Sequence, residues 1–291
     1  MKNLLKKGDT IGIIALAGNC NEESIFRAQK NIESLGYNVK LSNNIFDENK
    51  YLAGNDNEKI KELHKFFLDD DIKLILNARG GYGSLRLIDK IDYKLISKHM
   101  KPFCGFSDIT ALLLMIYKKT GMITYHAPMA SSDFGLEQDL SNFTIDNFFN
   151  TINSDTLEIE CTNILNNTNT KGVLWGGNLA TMCSLCGINF IPNEDFIFFT
   201  EDLNEPVYKI DRMFHQLFNI KKFKKNCKAI LVGEFLNIDN KAWLNELLIE
   251  IGTKFKIPIA HNNSITHGNN KVTLPIGASC ILKSSKLIIK K

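Results

Sequence analysis

Across residues 10–119, short apolar runs alternate with helix-length segments, and that alternation leaves few folds open to the chain. Thr10 to Ala15 reads as an apolar strand and Glu22 to Leu35 as a helix stopped by Gly36; Tyr37 to Leu41 is a second strand. Asp56 to Leu68 places Ile60, Leu63, Phe66 and Phe67 on one helical face. Ile72 to Leu76 is a third strand, followed by helix-like Ser84 to Ile91, strand Pro102 to Phe106 and an apolar helix from Asp108 to Lys119. Strands that alternate with helices predict an α/β fold with a parallel sheet covered on both faces. In such a sheet ligands gather at the carboxyl ends of the strands.

The second half repeats the alternation less regularly. Gly172 to Leu174 is a short strand, Gly176-Gly177 a turn, and a helix starts at Asn178. Strand Phe196 to Thr200, helix Tyr208 to Leu217, strand Ala229 to Val232 and helix Ala242 to Ile251 follow. Lys221 to Lys225 reads as a solvated loop. Between the halves, a stretch rich in Asn, Asp, Ser and Thr predicts a connection. The expected division is a domain over 1–135, a connecting segment over 136–170 and a smaller α/β domain over 171–291. Length agrees, since 291 residues correspond to about two domains.

Charge and cysteine usage narrow the function classes. With 35 Lys and Arg against 32 Asp and Glu, the net charge of +3 gives no footprint for nucleic acid or an anionic membrane. No apolar stretch approaches the 18 or so residues a membrane helix needs. Lys2, Lys6 and Lys7 before Thr10 to Gly18 imitate a signal peptide, but Gly8-Asp9-Thr10 interrupts the pattern and Asn19 separates the small residues from Cys20. The segment is read as a first buried strand of a cytoplasmic protein. Seven cysteines scattered along the chain do not form a disulfide framework, and Cys183 and Cys186 lack a second pair to complete a zinc site. No metal and no cofactor are expected.

Four features could carry chemistry. Ser107, in Gly105-Phe106-Ser107-Asp108, sits where an apolar strand meets an apolar helix. A serine on such a turn exposes its hydroxyl beside the unpaired N–H groups of a helix start, the mechanics of a nucleophile elbow, although Gly-x-Ser-x-Gly is absent. Taken alone, the motif reads first as a helix cap by Ser107 or Asp108. Arg79-Gly80-Gly81-Tyr82-Gly83 also follows a buried strand; it is neither a Walker loop nor a dinucleotide fingerprint, and it suits a phosphate or an oxyanion donor equally. Glu201-Asp202 ends a buried strand, where an acid that orients a histidine would stand, although the pair taken alone reads first as turn or helix-start carboxylates. Of six histidines, His126, His261 and His267 lie on loops and are equal candidates for the base.

In order along the chain, these segments resemble the LD-carboxypeptidase family of serine peptidases. The resemblance rests on Gly8-Asp9-Thr10-Ile11-Gly12, Ala78 to Gly83 with Arg86-Leu87, Gly105-Phe106-Ser107-Asp108-Ile109-Thr110-Ala111 and Gly176-Gly177-Asn178-Leu179. It continues through Glu201-Asp202 with Glu205, Tyr208, Ile210-Asp211-Arg212 and Gln216-Leu217, to His267-Gly268 and Leu274-Pro275-Ile276-Gly277. It implies a Rossmann-like or flavodoxin-like N-terminal domain carrying Ser107, and a C-terminal domain carrying Glu201 and His267. The triad would form where the two halves face each other. It also implies oxyanion donors at the N–H groups of Gly81 and Asp108. Phe106 stands where the family usually has Tyr, Ala127 where it has Gly, and Thr266 where Gly precedes the histidine.

The implied activity is release of terminal D-Ala from the murein tetrapeptide in peptidoglycan recycling, with a small muropeptide as substrate and a homodimer as the assembly. Arg79 and Arg212 are the candidates for the substrate's terminal carboxylate, because guanidinium binds carboxylate bidentately. Three alternatives remain. An immunity hydrolase of microcin-type aminoacyl nucleotides would need an aromatic stacking surface, for which Trp175 is the one candidate and reads first as core. A non-catalytic muropeptide-binding protein would keep the cleft without turnover. A nicotinamide oxidoreductase is weakened by the broken glycine fingerprint.

Overall fold

The computed structural model describes residues 5–138, 140–166 and 169–291; Lys2 of the basic N-terminal run lies outside them. Its contacts divide the chain into two units, Met1–Ser154 with Val272–Pro275, and Asp155–Lys271 with Ile276–Lys291.

The first unit contains β1 (Thr10–Ile14), α1 (Glu22–Ser34), β2 (Asn38–Leu41), α2 (Asp56–Leu68), β3 (Ile72–Asn77), α3 (Tyr93–Lys98), β4 (Phe103–Gly105), α4 (Thr110–Thr120), β5 (Thr124–His126) and α5 (Asn142–Asn153). Helix α1 starts where the Asn21 side chain accepts from Ser24 N–H at 3.1 Å, and it buries Ile25, Ala28 and Ile32 at helical spacing. Each large aliphatic side chain so buried contributes roughly 1.5–3 kcal/mol. Helix α2 is capped in the same way by Asn55, and its Phe66 ring lies against Gly12 of β1, where a Cβ would come within 2.7 Å of Cε1.

The second unit contains β6 (Thr156–Glu160), β7 (Thr162–Leu165), β8 (Thr170–Asn178), α6 (Leu179–Ser184), β9 (Phe196–Leu203), α7 (Val207–Phe218), α8 (Lys221–Asn226), β10 (Cys227–Leu236), α9 (Lys241–Phe255) and β11 (Ile259–His261). After β12 (Leu274–Ile276), which joins the first unit's sheet, come β13 (Ser279–Lys283) and β14 (Lys286–Lys290).

Strand order in the first sheet is β12-β5-β4-β3-β1-β2, with β1 to β5 parallel. Leaving out β12, this is the flavodoxin-like order, and its switch point lies between β1 and β3. The loops that leave those two strands meet there: Gly18 N–H donates to Gly80 O at 3.1 Å. The second sheet runs β6-β14-β13-β8-β9-β10-β11-β7. Its centre, β8 to β11 through β9 and β10, is parallel, and its flanks are antiparallel. Central β9 is buried along nearly its whole length: the apolar run Phe196–Phe199 fits a strand covered on both faces, and Thr200, Glu201 and Asp202 beyond it are buried polar residues.

Several sequence expectations change. The expected helix over Ser84 to Ile91 is a single 3-10 turn, Ser84–Leu87, because Ser84 is held to Asp108 through both its N–H and its hydroxyl. The lysine-rich stretch is helix α8 rather than a loop; Phe223 is buried among aromatic rings, and Asn226 Nδ2 donates to Asn193 O at 3.0 Å. Gly176 and Gly177 are strand residues of β8 rather than a turn. A Cβ on Gly176 would lie 1.8 Å from Phe199 O, so the absent side chain lets β8 and β9 pair. Residues 136–170, expected as a connection, supply α5 to the first unit and β6 and β7 to the second.

Candidate active site

In the first unit the candidate centre is built around the turn after β4. Ser107 has φ +60°, a left-handed conformation that costs a non-glycine residue about 1 kcal/mol or more and that tertiary contacts must impose. The contacts are present. Gly80 packs so closely that a Cβ there would lie 2.8 Å from Ser107 Cβ and 2.9 Å from its Oγ. Gly105, at the end of β4, leaves room for Ile109, to which a Cβ would come within 2.9 Å.

A 3-10 turn over Ser107–Ile109 leads directly into α4. Neither Ser107 nor Asp108 caps that helix with its side chain. The Asp108 carboxylate turns away and accepts from Ser84 N–H at 2.8 Å, while the Ser84 hydroxyl donates to Asp108 O. Burial pushes the Asp108 carboxyl above the usual carboxylate range, opposed by the Ser84 bonds and by Lys59. Gly81, exposed and at φ +104°, places its backbone beside Gly18. The Ser107 hydroxyl, the start of α4 and the glycine loop therefore lie together in one unit.

The second unit holds a carboxylate–imidazole pair. Glu201, on β9, is fully buried, and its Oε2 accepts from His267 Nδ1. A carboxylate can only accept, so this bond puts the proton on Nδ1 and leaves Nε2 as the basic nitrogen. Of the three loop histidines, His267 has this acidic partner. His126 ends β5, buried with its ring edge-on to Phe106 at 5.8 Å. His261 ends β11, where burial lowers its pKa and Glu234 opposes the shift. Neighbouring Asp202 serves its own helix: its carboxylate accepts from Asn178 Nδ2 and Ala180 N–H, each at 2.8 Å, at the start of α6.

The remaining candidates are placed as follows. Arg79 is exposed beside the glycine loop and donates through Nη1 to Asn19 O at 3.2 Å. Arg212 is exposed on α7, its guanidinium 5.5 Å from the Tyr208 ring centroid. Trp175 is fully buried among Phe190, Phe196, Phe198 and Phe223, so it offers no stacking surface. Cys183 and Cys186 are partly exposed thiols, both pushed up by burial. Among the described residues no group of three or more His, Cys, Asp or Glu could hold a metal ion.

Sequence reasoning missed the residues that support the loop around His267. Glu234 accepts from the Thr266 hydroxyl at 2.6 Å, and Lys271 Nζ donates to Gly268 O at 2.6 Å. The available signal was Gly233-Glu234 directly after an apolar strand, a pattern that marks a bulge.

Residues 11–127 match the family model described as the LD-carboxypeptidase N-terminal domain, and residues 171–282 match that of the LD-carboxypeptidase C-terminal domain. The probable murein peptide carboxypeptidase of Bacillus subtilis (strain 168) is 35% identical over 291 residues, covering 97% of this chain and 91% of that protein. The crystal structure of an MccF-like protein from Bacillus anthracis superimposes with a TM-score of 0.92 at 28% identity, over 100% of this chain and 98% of the other. Muramoyltetrapeptide carboxypeptidase from Oxalobacter formigenes gives 0.90 at 28%, over 97% and 99%.

Proposed function

Because the chain belongs to the LD-carboxypeptidase family, and so to the carboxypeptidase hydrolases, we propose that it releases terminal D-Ala from the murein tetrapeptide. The observation that carries this reading is the bond from His267 to the buried carboxylate of Glu201, which leaves Nε2 ready to take a proton. The strained Ser107, beside a glycine loop and a helix start, supplies the matching nucleophile.

In the proposed reaction His267 Nε2 accepts the Ser107 proton as Oγ attacks the carbonyl that joins the L-centre of diaminopimelate to D-Ala. The new C–O bond gives a tetrahedral oxyanion, stabilised by the N–H groups of Gly81 and Asp108. Collapse breaks the C–N bond, and imidazolium passes its proton to the leaving D-Ala amine. Water, deprotonated by the same histidine, attacks the acyl-enzyme and releases the tripeptide and free Ser107. Arg79 and Arg212 are the candidates for binding the terminal carboxylate. A cytoplasmic place in peptidoglycan recycling and a homodimer belong to the same reading. Among the described residues no helix is long and apolar enough to cross a membrane.

Mass spectrometry of free tetrapeptide incubated with the purified protein is expected to show loss of one alanine. Ser107→Ala is expected to remain folded and to lose roughly 10⁴-fold in kcat. Activity within tenfold of wild type removes Ser107 as the nucleophile. A microcin-type aminoacyl nucleotide run in parallel tests the immunity-hydrolase alternative. Tight binding of tetrapeptide that is recovered intact supports the binding-protein alternative.

A further inference from the structure

His267 stands in a stretch that has no helix or strand of its own. Between β11 and β12 the chain makes only turns and bends, so the backbone ladder does not hold this residue in place. A base must nevertheless keep its ring within about 0.5 Å and 10–20° of a productive pose. The anchors have to come from side chains.

They come from a bulge in the sheet directly opposite Glu201. Strands β9 and β10 pair Thr200 with Val232 and then Asp202 with Phe235, so Gly233 and Glu234 together oppose the single residue Glu201. A bulge of two residues against one bends the strand and re-aims its side chains. Here it brings β10 against the histidine's own segment. Glu234 N–H donates to Ile265 O at 2.8 Å, and a Cβ on Gly233 would fall 2.2 Å from that same oxygen.

The Thr266 hydroxyl then works twice. It donates to Glu234 Oε2 at 2.6 Å, and it accepts from Gly268 N–H at 2.8 Å. Those two bonds tie the residues immediately before and after His267 to one carboxylate. Thr266 is buried, and a hydrogen bond to an ionised acceptor away from water is about twice as strong as a neutral one. Lys271 closes the far side, donating to Gly268 O at 2.6 Å and to His267 O at 3.3 Å.

We propose that Glu234 and Thr266 are positioning residues that set the His267 imidazole against Glu201, acting through the bulge and the loop without touching substrate. One short segment of β10 thereby controls both ends of the carboxylate–imidazole contact: it neighbours Glu201 in the sheet and holds the backbone on either side of His267. The proposal rests on the carboxypeptidase reading for the role of His267, and on the hydrogen bonds above for the restraint itself.

The test pairs kinetics with a signal that needs no substrate. Thr266→Val, close in shape but without the hydroxyl, is expected to lower kcat by roughly ten- to a hundredfold, as a base displaced by a fraction of an ångström does, with KM within threefold. Thr266→Ser is expected to restore kcat to within threefold of wild type. In parallel, the low-field proton resonance of His267 Nδ1–H, assigned by its loss in His267→Ala, is expected to shift or broaden in Thr266→Val and to persist in Thr266→Ser. If Thr266→Val does not fold, Thr266→Ala is read in its place.

Wild-type kcat together with an unmoved resonance in the hydroxyl-free variant overturns the proposal. So does a Thr266→Ser enzyme as impaired as Thr266→Val, which would make the effect one of packing. Should the wild-type protein leave tetrapeptide intact, the substrate reading fails by itself and the resonance alone decides the positioning role.

Discussion

Glu201 and Asp202 are adjacent carboxylates with separate tasks, because neighbouring residues of a strand point to opposite faces. Glu201 meets His267, while Asp202 turns to the start of α6 and accepts from Asn178, Ala180 and, at 2.9 Å, its own neighbour Leu203. Burial, with the Glu201 charge beside it, raises the Asp202 carboxyl from 3.8 to about 6. The native state thus holds the proton of Asp202 at pH values where the unfolded chain has released it. Stability attributable to this group therefore falls as pH rises from about 4 to 6, by at most about 3 kcal/mol, and levels off above. Urea unfolding of wild type and Asp202→Asn across pH 4 to 7 checks this; the variant should lack that part of the slope, and identical slopes contradict it. The pair of carboxylates was legible in the sequence as a candidate orienting site. Which histidine Glu201 meets was not legible in the local windows, where His126, His261 and His267 look alike; the ordered family motifs pointed to His267, and the hydrogen bond to Glu201 agrees with them.

At the scale of elements, strong periodicity specifies the structure. α1, α2, β1 and β3 lie within one or two residues of expectation, because their apolar spacing specifies both the element and its buried face. The departures are local patterns overruled by contacts: Ser84 is captured by Asp108, Phe223 draws a lysine run into a helix, and Gly176 is pressed onto Phe199. The last gives a sharp expectation. Gly176→Ala must move strand backbone and is expected to destabilise by at least about 3 kcal/mol. Gly187→Ala meets nothing within 4 Å and carries only the strain of φ +108°, about 1 kcal/mol. Chemical denaturation of the two variants distinguishes crowding from backbone strain; equal losses would mean that the β8–β9 approach is not the constraint.

For the whole molecule, the chain path matters more than the length of either half. Val272–Pro275 belongs to the first unit, where β12 flanks β5 and Thr273 N–H donates to Asn147 Oδ1 at 2.7 Å. A fragment of residues 1–154 therefore ends its sheet at an uncovered β5, and exposed edges promote association. It is expected to aggregate or to unfold without cooperativity, and fusing residues 272–276 to it should restore a cooperative transition. A monomeric, cooperatively unfolding 1–154 fragment would contradict this. The amino-acid sequence alone determined the α/β alternation, the glycine loop, the serine at a strand–helix junction and, through ordered motifs, the family. Each of these is written within a short stretch of residues, where spacing and backbone preference act directly. The resemblance already pointed to His267 beside Glu201; only the tertiary structure decided that Glu234 and Thr266 brace it, and that a late strand returns to the first sheet. Those outcomes depend on contact energies between residues far apart in the chain, to which no local pattern corresponds.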